Sequence, residues 1–187
     1  MITLTSSQSS KAEPFRGHRW IIQFSFPSTF TAFGSGDIST RVDDLAFCAH
    51  TSTVPSISFN NTEMHRLNEK FKSAGKPSFN DLSMSFYDFI SKDGTIAPTA
   101  NENQAGRILY NWSKAIYDPN TGEMGYKVEY AANAALAQLD PRGNIVRTWN
   151  IFYIWPMSVE FGGGLSYESD SPLDVTCNFV YDYATQV

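Results

Sequence analysis

Apolar and polar residues alternate along several segments of the chain. A period of two is typical of β-strands that bury one face and expose the other. It predicts five strands, at residues 20–26, 45–51, 57–59, 82–87 and 174–181. In the second of these, Leu45, Phe47 and Ala49 are expected on the same face. Residues 30–44, rich in Gly, Ser, Thr and Asp, are predicted to form an irregular connection before it.

Two longer strands are predicted on either side of a turn. Residues 126–139 and 145–155 flank the run 140–144, in which Pro141 presets its own φ and Gly143 supplies a positive φ. The pattern predicts a long hairpin that ends at Trp155–Pro156. A short interrupted strand is expected at 159–167, where three consecutive glycines indicate a bulge or tight bend.

One segment has a helical period instead. Its apolar residues follow the spacing i, i+1, i+4, i+7 and i+8 from residue 108, which places them on one face of a helix of three or four turns. Asn101 or Asn103 is the expected N-cap, and Asp118–Pro119 is the expected stop. The face predicted to lie in the core consists of Ile108, Leu109, Trp112 and Ile116.

The segment 60–80 shows neither period and is predicted to be a long, charged loop. Loops of more than about 12–15 residues in compact domains are usually functional or disordered. Its charges are as consistent with a solvated surface as with a partner-binding one. The apolar residues Met64, Leu67 and Phe71 among those charges favour the partner-binding interpretation.

Seven or so strands with one helix predict a mainly β protein, an antiparallel β-sandwich or barrel with one flanking α-helix. We expect a single domain over residues 1–187, with 1–13 as a flexible arm. The longest strongly apolar run, 151–155, is too short to cross a bilayer. The first ten residues lack the features of a secretory signal. We therefore expect folding in a cytoplasm and no insertion into a membrane.

Composition indicates association. Of 187 residues, 14% are aromatic and only 18% are charged, below the roughly 25% that is usual in soluble domains. Such a chain has little polar surface to keep it monomeric. The net charge is −5, and the Lys and Arg residues are scattered. Specific nucleic-acid binding is not expected, because it normally requires a basic face.

We expect neither enzymatic activity nor a cofactor. The three histidines are isolated in sequence, whereas a zinc site needs three or four convergent ligands. Cys48 and Cys177 are interpreted as buried free thiols, with a disulfide as the less favoured alternative. A β-sandwich carbohydrate-active enzyme, with Glu160 and Glu168 as its carboxylate pair, or a carbohydrate-binding module is the alternative from another functional class.

The order of several short motifs resembles the tail tube proteins of contractile-tailed bacteriophages. The matching pieces follow one another as Phe47–Ala49, Thr53–Ser56, Gly75–Asp81, the helix with Trp112, Tyr126–Lys127, Gln138–Asp140, Trp155–Val159, Leu165–Ser169 and Phe179–Tyr183. The first 40 residues, and 28–41 in particular, depart from this pattern. A baseplate tube or tube-initiator protein is therefore a specialised alternative.

The resemblance implies a tail-tube-like fold and a structural role. Members of this family stack as hexameric rings into the inner tube of the tail, through which viral DNA is ejected into the host. The implied partners are further copies of the chain, the tail sheath, baseplate and terminator proteins, and, in the lumen, the tape measure protein and transiently viral DNA. The implied location is the virion tail, after assembly in the host cytoplasm. A tube of a type VI secretion system or another contractile injection device is the alternative within this class.

Two sets of residues are expected to serve this role. Contacts between subunits or rings are expected from the 60–80 loop, through Glu63, Met64, Arg66, Leu67, Glu69, Lys70, Phe71 and Lys72. The lumen is expected to be lined by the polar faces of two strands, through Ser83, Ser85, Asp174, Thr176 and Asn178. Short side chains with one acid offer a passing phosphate few hydrogen-bond donors.

Overall fold

A computed structural model describes residues 16–28, 30, 38–89, 104–168 and 170–187, with only the backbone described for 38–41. These ranges contain, in chain order, β1 (Trp20–Ser25), α1 (Ile38–Cys48), β2 (Ala49–Ser52), β3 (Ile57–Arg66), β4 (Glu69–Phe79), β5 (Leu82–Tyr87), α2 (Ala105–Ile116), α3 (Lys127–Tyr130), β6 (Ala132–Leu139), β7 (Ile145–Glu160), β8 (Asp174–Val180) and β9 (Tyr183–Gln186). The predicted flexible arm and the predicted N-caps, Asn101 and Asn103, lie outside the described residues. Within the described ranges no helix is long and apolar enough to span a membrane.

All strand pairs are antiparallel. Six strands follow the order β1-β6-β7-β8-β5-β2, and β9 pairs with β7 as the seventh strand. The first part of β7 pairs with β6 and β9, and its last part pairs with β8. The two halves of the sheet share one core, which confirms the mainly antiparallel β-sandwich. The described strands do not close into a barrel.

Strand β7 changes partners at Tyr153, whose φ is 56°. A positive φ is unusual for a bulky residue. It interrupts the alternation, so that Ile151 and Ile154, three positions apart, are both buried. The predicted end of this strand at Trp155–Pro156 is wrong, because β7 continues to Glu160. Pro156 is accommodated beside a register shift in the pairing with β8, where a missing N–H is tolerated.

The core forms around α2, and the predicted helix is confirmed. Ile108, Leu109 and Trp112 are fully buried, while Ile116 is half-buried. Gln104 occupies the N-cap position without a side-chain hydrogen bond. The helix ends at Ile116 and the next residue is its C-cap, so the helix stops just before the predicted Asp118–Pro119.

The prediction of an irregular segment followed by a strand over 45–51 is wrong. Residues 38–48 form α1, and only Ala49–Ser52 form a strand. Leu45 and Cys48 are buried, whereas Phe47 is 79% exposed, so Leu45 and Phe47 do not share a face. The single predicted helix is likewise corrected to three helices in the described ranges.

The prediction of a long loop over 60–80 is also wrong. Strands β3 and β4 pair with each other from end to end and form a separate two-stranded sheet. Alternation is absent from the sequence because both faces of this hairpin are exposed. The segment is therefore regular structure, although nothing in its polarity pattern indicates it.

Smaller differences concern the second half of the chain. Residues 127–130 form α3, so β6 starts later than predicted, and the expected strand over 159–167 does not extend past Glu160. Strand β9 was not predicted. A bend at the three glycines is confirmed by Gly162, whose φ is 109°.

The turn between β6 and β7 is confirmed, with Gly143 at a φ of 85°. The Asp140 carboxylate accepts hydrogen bonds from the Arg142 N–H (2.7 Å) and from the Asn144 N–H (2.8 Å) and side-chain amide (2.9 Å). These bonds, the one from the Asn144 side chain above all, hold the pKa of Asp140 below its usual range. The carboxylate thereby closes the turn that sets the register of the hairpin.

Candidate assembly surfaces

The hairpin of β3 and β4 projects from the rest of the protein. Its pairing runs from Ile57 opposite Phe79 at the base to Arg66 opposite Glu69 at the tip, with one register shift between Phe59 and Asn61. Within the described chain, β3 and β4 pair with no other strand. A two-stranded hairpin alone is marginally stable in water. A hairpin of this length, exposed on both faces, is therefore a candidate contact surface.

All eight residues expected to contact other subunits lie in this hairpin. Met64 and Phe71 are directly opposite each other, and both are about half exposed. Glu63 and Lys72 are also opposite, with 3.3 Å between Lys72 Nζ and Glu63 Oε1. The other four are Arg66, Leu67, Glu69 and Lys70, which occupy the last pairs and the turn. The structure thus brings the expected set together, in a strand pair and not in a loop.

The base of the hairpin is anchored to the body of the protein. Asn80 donates its N–H to the Ser56 carbonyl (3.0 Å) and its side-chain amide to the Ser56 hydroxyl (2.9 Å). Phe79 packs against the buried ring of Tyr181, with 5.8 Å between ring centroids. These contacts fix the direction in which the hairpin leaves the body.

The five residues expected to line a lumen share one face of the β5–β8 pair. Ser83 lies opposite Asn178, and Ser85 lies opposite Thr176. Directly opposite residues of an antiparallel pair are on the same face, and Asp174 shares it by alternation along β8. The other face carries the buried residues of both strands, namely Leu82, Met84, Phe86, Val175, Cys177 and Phe179.

The last part of β7 extends this polar face. The Asn178 side-chain amide donates to the Ser158 hydroxyl at 3.2 Å, and Glu160 lies opposite Thr176. Hydroxyl and amide groups therefore cross three adjacent strands, with carboxylates only at the ends. We call this surface, formed by Ser83, Ser85, Ser158, Thr176 and Asn178 with Asp174 and Glu160, the polar sheet face.

His50, which is isolated from the other histidines in sequence, lies beside this face. Its Nδ1 is 3.0 Å from the Ser85 carbonyl oxygen, and its Nε2 is 3.7 Å from an Asp174 carboxylate oxygen. The imidazole ring stacks on Tyr87, with 4.0 Å between centroids. These partners are far apart in sequence, so only the strand pairing brings them together.

The two carboxylates considered for catalysis lie in different elements. Glu160 ends β7 and Glu168 lies in a turn, and neither lines any of three clefts of about 420–500 Å³ on the described surface. Among the described residues no three His, Cys, Asp or Glu side chains are placed to hold a metal ion.

The disulfide alternative is wrong, because Cys48 and Cys177 are both buried as free thiols. Burial raises the pKa of Cys48 to about 11 and also raises the pKa of Cys177. Both thiols therefore stay protonated at neutral pH, and neither is an activated nucleophile.

Comparisons with known proteins agree with this fold. The sequence model of the phage tail tube protein family matches residues 16–186. No curated protein matches the chain in sequence. One similar solved chain comes from the anti-feeding prophage baseplate, 6-fold symmetrised (TM-score 0.61, 14% identity, 94% of this chain and 97% of that chain).

Two further solved chains have the same fold. One comes from the sheath–tube complex of the extracellular contractile injection system PVC (TM-score 0.61, 14% identity, 99% of both chains). The other comes from the tube-terminating cap of the anti-feeding prophage (TM-score 0.63, 14% identity, 94% of this chain and 92% of that chain). With a family match over residues 16–186, this chain belongs to the phage tail tube protein family.

Proposed function

We propose that this protein is a structural subunit of a tail tube and that its copies stack as hexameric rings around a channel. The observation that carries the proposal is the projecting hairpin of β3 and β4. Five large apolar side chains, Ile57, Phe59, Met64, Leu67 and Phe71, are about half exposed or more on it. Such a surface is unfavourable for a monomer and favourable for an assembly. The 6-fold symmetry of the similar baseplate supports rings of six.

The open sheet supports the same conclusion. Strands β1 and β2 are the two end strands of the seven-stranded sheet, and an end strand presents unpaired backbone groups along one side. A ring of copies covers both ends at each contact between neighbours, and closed symmetry leaves no end free. Association around a ring therefore removes an aggregation hazard that the monomer carries.

The polar sheet face is proposed to line the channel. Its short hydroxyl and amide side chains bind phosphate weakly compared with Lys or Arg, and Asp174 repels it. At −5 per chain, a ring of six carries about −30, which disfavours retention of DNA by the wall. Weak binding of phosphate suits a tube that encloses a tape measure protein during assembly and later conducts viral DNA.

A tube of another contractile injection device, including a type VI secretion system, is the alternative function. Similar solved chains from the anti-feeding prophage and the extracellular contractile injection system support it. In either case the proposed partners are sheath, baseplate and terminator proteins, and the proposed location is a virion or a phage-tail-like particle. A baseplate tube or initiator protein falls within the same proposal.

Deletion of the distal hairpin tests the proposal. Residues 61–74 are replaced by an Asn-Gly turn, which suits a two-residue hairpin connection. The variant is expected to keep a cooperative thermal unfolding transition and to form no tubes in negative-stain electron microscopy. The matched control, Thr62→Ser, is expected to form tubes. Tubes of normal length from the deletion variant would contradict the role of the hairpin in stacking.

A further inference from the structure

We infer that His50 and Asp174 form a proton-dependent link that holds the end strand β2 to the polar sheet face. In mild acid the imidazole gains a proton and pairs with the carboxylate, and near neutral pH the link weakens. All the atoms of this link belong to one copy of the chain. Its consequence for a ring and for the channel rests on the proposed function.

The backbone of β2 provides few contacts to the rest of the sheet. The strand has four residues, and in the described chain it pairs with β5 alone. The pairing shifts register between Ala49 and Thr51, so His50 is the residue at the irregularity. A bulge leaves one residue unpaired and locally disrupts the ladder. Side-chain contacts of His50 therefore matter for the position of this end strand.

The side chain of His50 crosses β5 to reach β8. Its ring stacks on Tyr87 of β5, with 4.0 Å between centroids and 21° between planes. Tyr87 lies opposite Asp174 of β8, so both project from the polar sheet face. The imidazole Nε2 is 3.7 Å from Asp174 Oδ2. The side chain thus connects β2 to β8, although these two strands share no backbone pairing.

The hydrogen bond to Ser85 determines which nitrogen of the neutral imidazole carries the hydrogen. The Ser85 carbonyl oxygen, 3.0 Å from Nδ1, can only accept, so the hydrogen is on Nδ1. In a neutral imidazole the other nitrogen is an acceptor, and Nε2 directs its lone pair toward a carboxylate oxygen. A second proton turns this contact between two acceptors into a charge-assisted one. Histidine is the side chain that ordinarily takes up such a proton between pH 5 and 8.

Asp174 is the acid placed to respond to the charge of the imidazole. Two further acids lie in the elements next to His50, Asp44 in α1 and Asp88 after β5, and both act on the buried thiol of Cys48. Among the described residues neither of these two carboxylates forms an ion pair with the ring. The phenol ring of β5 covers one side of the imidazole. The link therefore depends on one histidine and one aspartate.

Partial exposure sets the size of the effect. The His50 side chain is 21% exposed and that of Asp174 is 49% exposed, so water screens their attraction. Exposed ion pairs contribute little to stability, and for a domain of this size the corresponding change in Tm is roughly 1–4 °C. The contribution is present in mild acid and is lost as the imidazole releases its proton.

The link changes the polar sheet face as well as the end strand. Asp174 and Glu160 are the carboxylates of that face, and protonation of His50 neutralises the first of them. Six copies of Asp174 in a ring repel phosphate near neutral pH, and the repulsion decreases in mild acid. At the same time β2, an end strand of the sheet, is held more firmly where a neighbouring copy would meet it.

Three substitutions test the link. His50→Gln keeps an amide donor for the Ser85 carbonyl but cannot gain a proton, and Asp174→Asn keeps the size of the side chain while removing its charge. His65→Gln is the matched control, because His65 is exposed and lies opposite Lys70, a cation that does not favour a second positive charge. The lower pH is about 5.5, where aspartate side chains ordinarily remain charged, and the higher pH is about 7.5.

Each variant is compared with the parent at the same pH by thermal melting and by hydrogen–deuterium exchange of the amides of residues 49–53. The Tm advantage of the parent over His50→Gln and over Asp174→Asn is expected to be roughly 1–4 °C larger in acid than near neutral pH. In acid these amides are expected to exchange up to about fivefold faster in both variants than in the parent. His65→Gln is expected to follow the parent at both pH values.

The outcomes separate this inference from the proposed function. If the Tm advantage and the exchange rates show the same differences at both pH values, no proton-dependent link exists, whereas tubes formed by the parent would still support the proposed function. If the parent shows the larger advantage in acid but forms no tubes, the link is present within one copy and the proposed function fails.

Discussion

Replacement of Trp112 by alanine tests the assignment of the core most sharply. The indole is fully buried and contacts three aromatic rings. Its centroid is 5.9 Å from that of Phe24, 4.6 Å from that of Phe26 and 5.5 Å from that of Phe179. Its Nε1–H donates a 2.7 Å hydrogen bond to the Tyr130 carbonyl. One side chain therefore joins α2 to β1, β8 and α3.

The expected loss of stability follows from these contacts. Truncation of a buried tryptophan to alanine costs about 3–5 kcal/mol through lost burial and the cavity that remains. For a domain of this size, each kcal/mol lowers Tm by about 2–4 °C, so a decrease of roughly 6–20 °C is expected. The hydrogen bond to Tyr130 accounts for about 1 kcal/mol of the total. Trp112→Phe, which keeps a ring in the site, is therefore expected to cost less than half as much.

The assay is thermal unfolding followed by circular dichroism, with Tyr110→Ala as the matched control. Tyr110 lies on the same helix but is 47% exposed and contacts only the ring of Phe161 among the described aromatic pairs. Its truncation is expected to lower Tm by no more than a few degrees. If Trp112→Ala melts within a degree or two of the parent, α2 does not pack on this core as described.

Three further predictions concern the channel, the thiols and the β6–β7 turn. Asp174→Lys combined with Asn178→Lys is expected to leave rings intact but to slow DNA ejection. The effect is expected to be larger at low salt, because high salt screens the attraction between the new lysines and the DNA phosphates. An unchanged ejection rate would place these residues away from the channel. Cys48 and Cys177 are expected to resist iodoacetamide at pH 8 in the native protein and to react in denaturant, as read by mass spectrometry; rapid native labelling would contradict their burial. The folded-state pKa of Asp140 is lowered, so the contribution of its carboxylate to stability is present at neutral pH and is lost as the pH falls through that pKa. The Tm difference between the parent and Asp140→Asn is therefore expected to shrink in acid. A larger difference in acid would contradict the geometry of the turn.

The sequence pattern identified the elements that bury one face. In β5 and β8 every second residue lies in the core, so alternation alone predicted both strands and placed Ser83 and Asn178 on the opposite face. The helical face with Trp112 was predictable for the same reason. Each of these segments has one apolar side and one polar side, which is the condition under which periodicity indicates structure.

Two errors have physical causes. In α1 the residues Val42, Leu45 and Ala46 follow the spacing i, i+3 and i+4, which is a helical pattern. The window from Leu45 onward also fits a period of two, so this shorter stretch predicts a strand where the protein has a helix. The hairpin was missed because an element exposed on both faces shows no alternation.

The candidate surfaces were only partly predictable. The residues of the hairpin are indicated by their mixture of charges and apolar groups, but which of them face each other across the two strands depends on register. The contact between His50 and Asp174 likewise arises from the pairing of β2, β5 and β8. Register is set by tertiary packing, and single-sequence patterns do not contain it.

Cryo-electron microscopy of the purified full chain at high concentration tests directly whether its copies assemble into a tube. We expect hollow tubes of stacked six-membered rings, with the β3–β4 hairpin at the contacts between copies and Ser83, Thr176 and Asn178 facing the channel. Persistent monomers, or assemblies without a central channel, would contradict the proposed tube function. A tube with these three side chains on its outer wall would contradict the assignment of the polar sheet face.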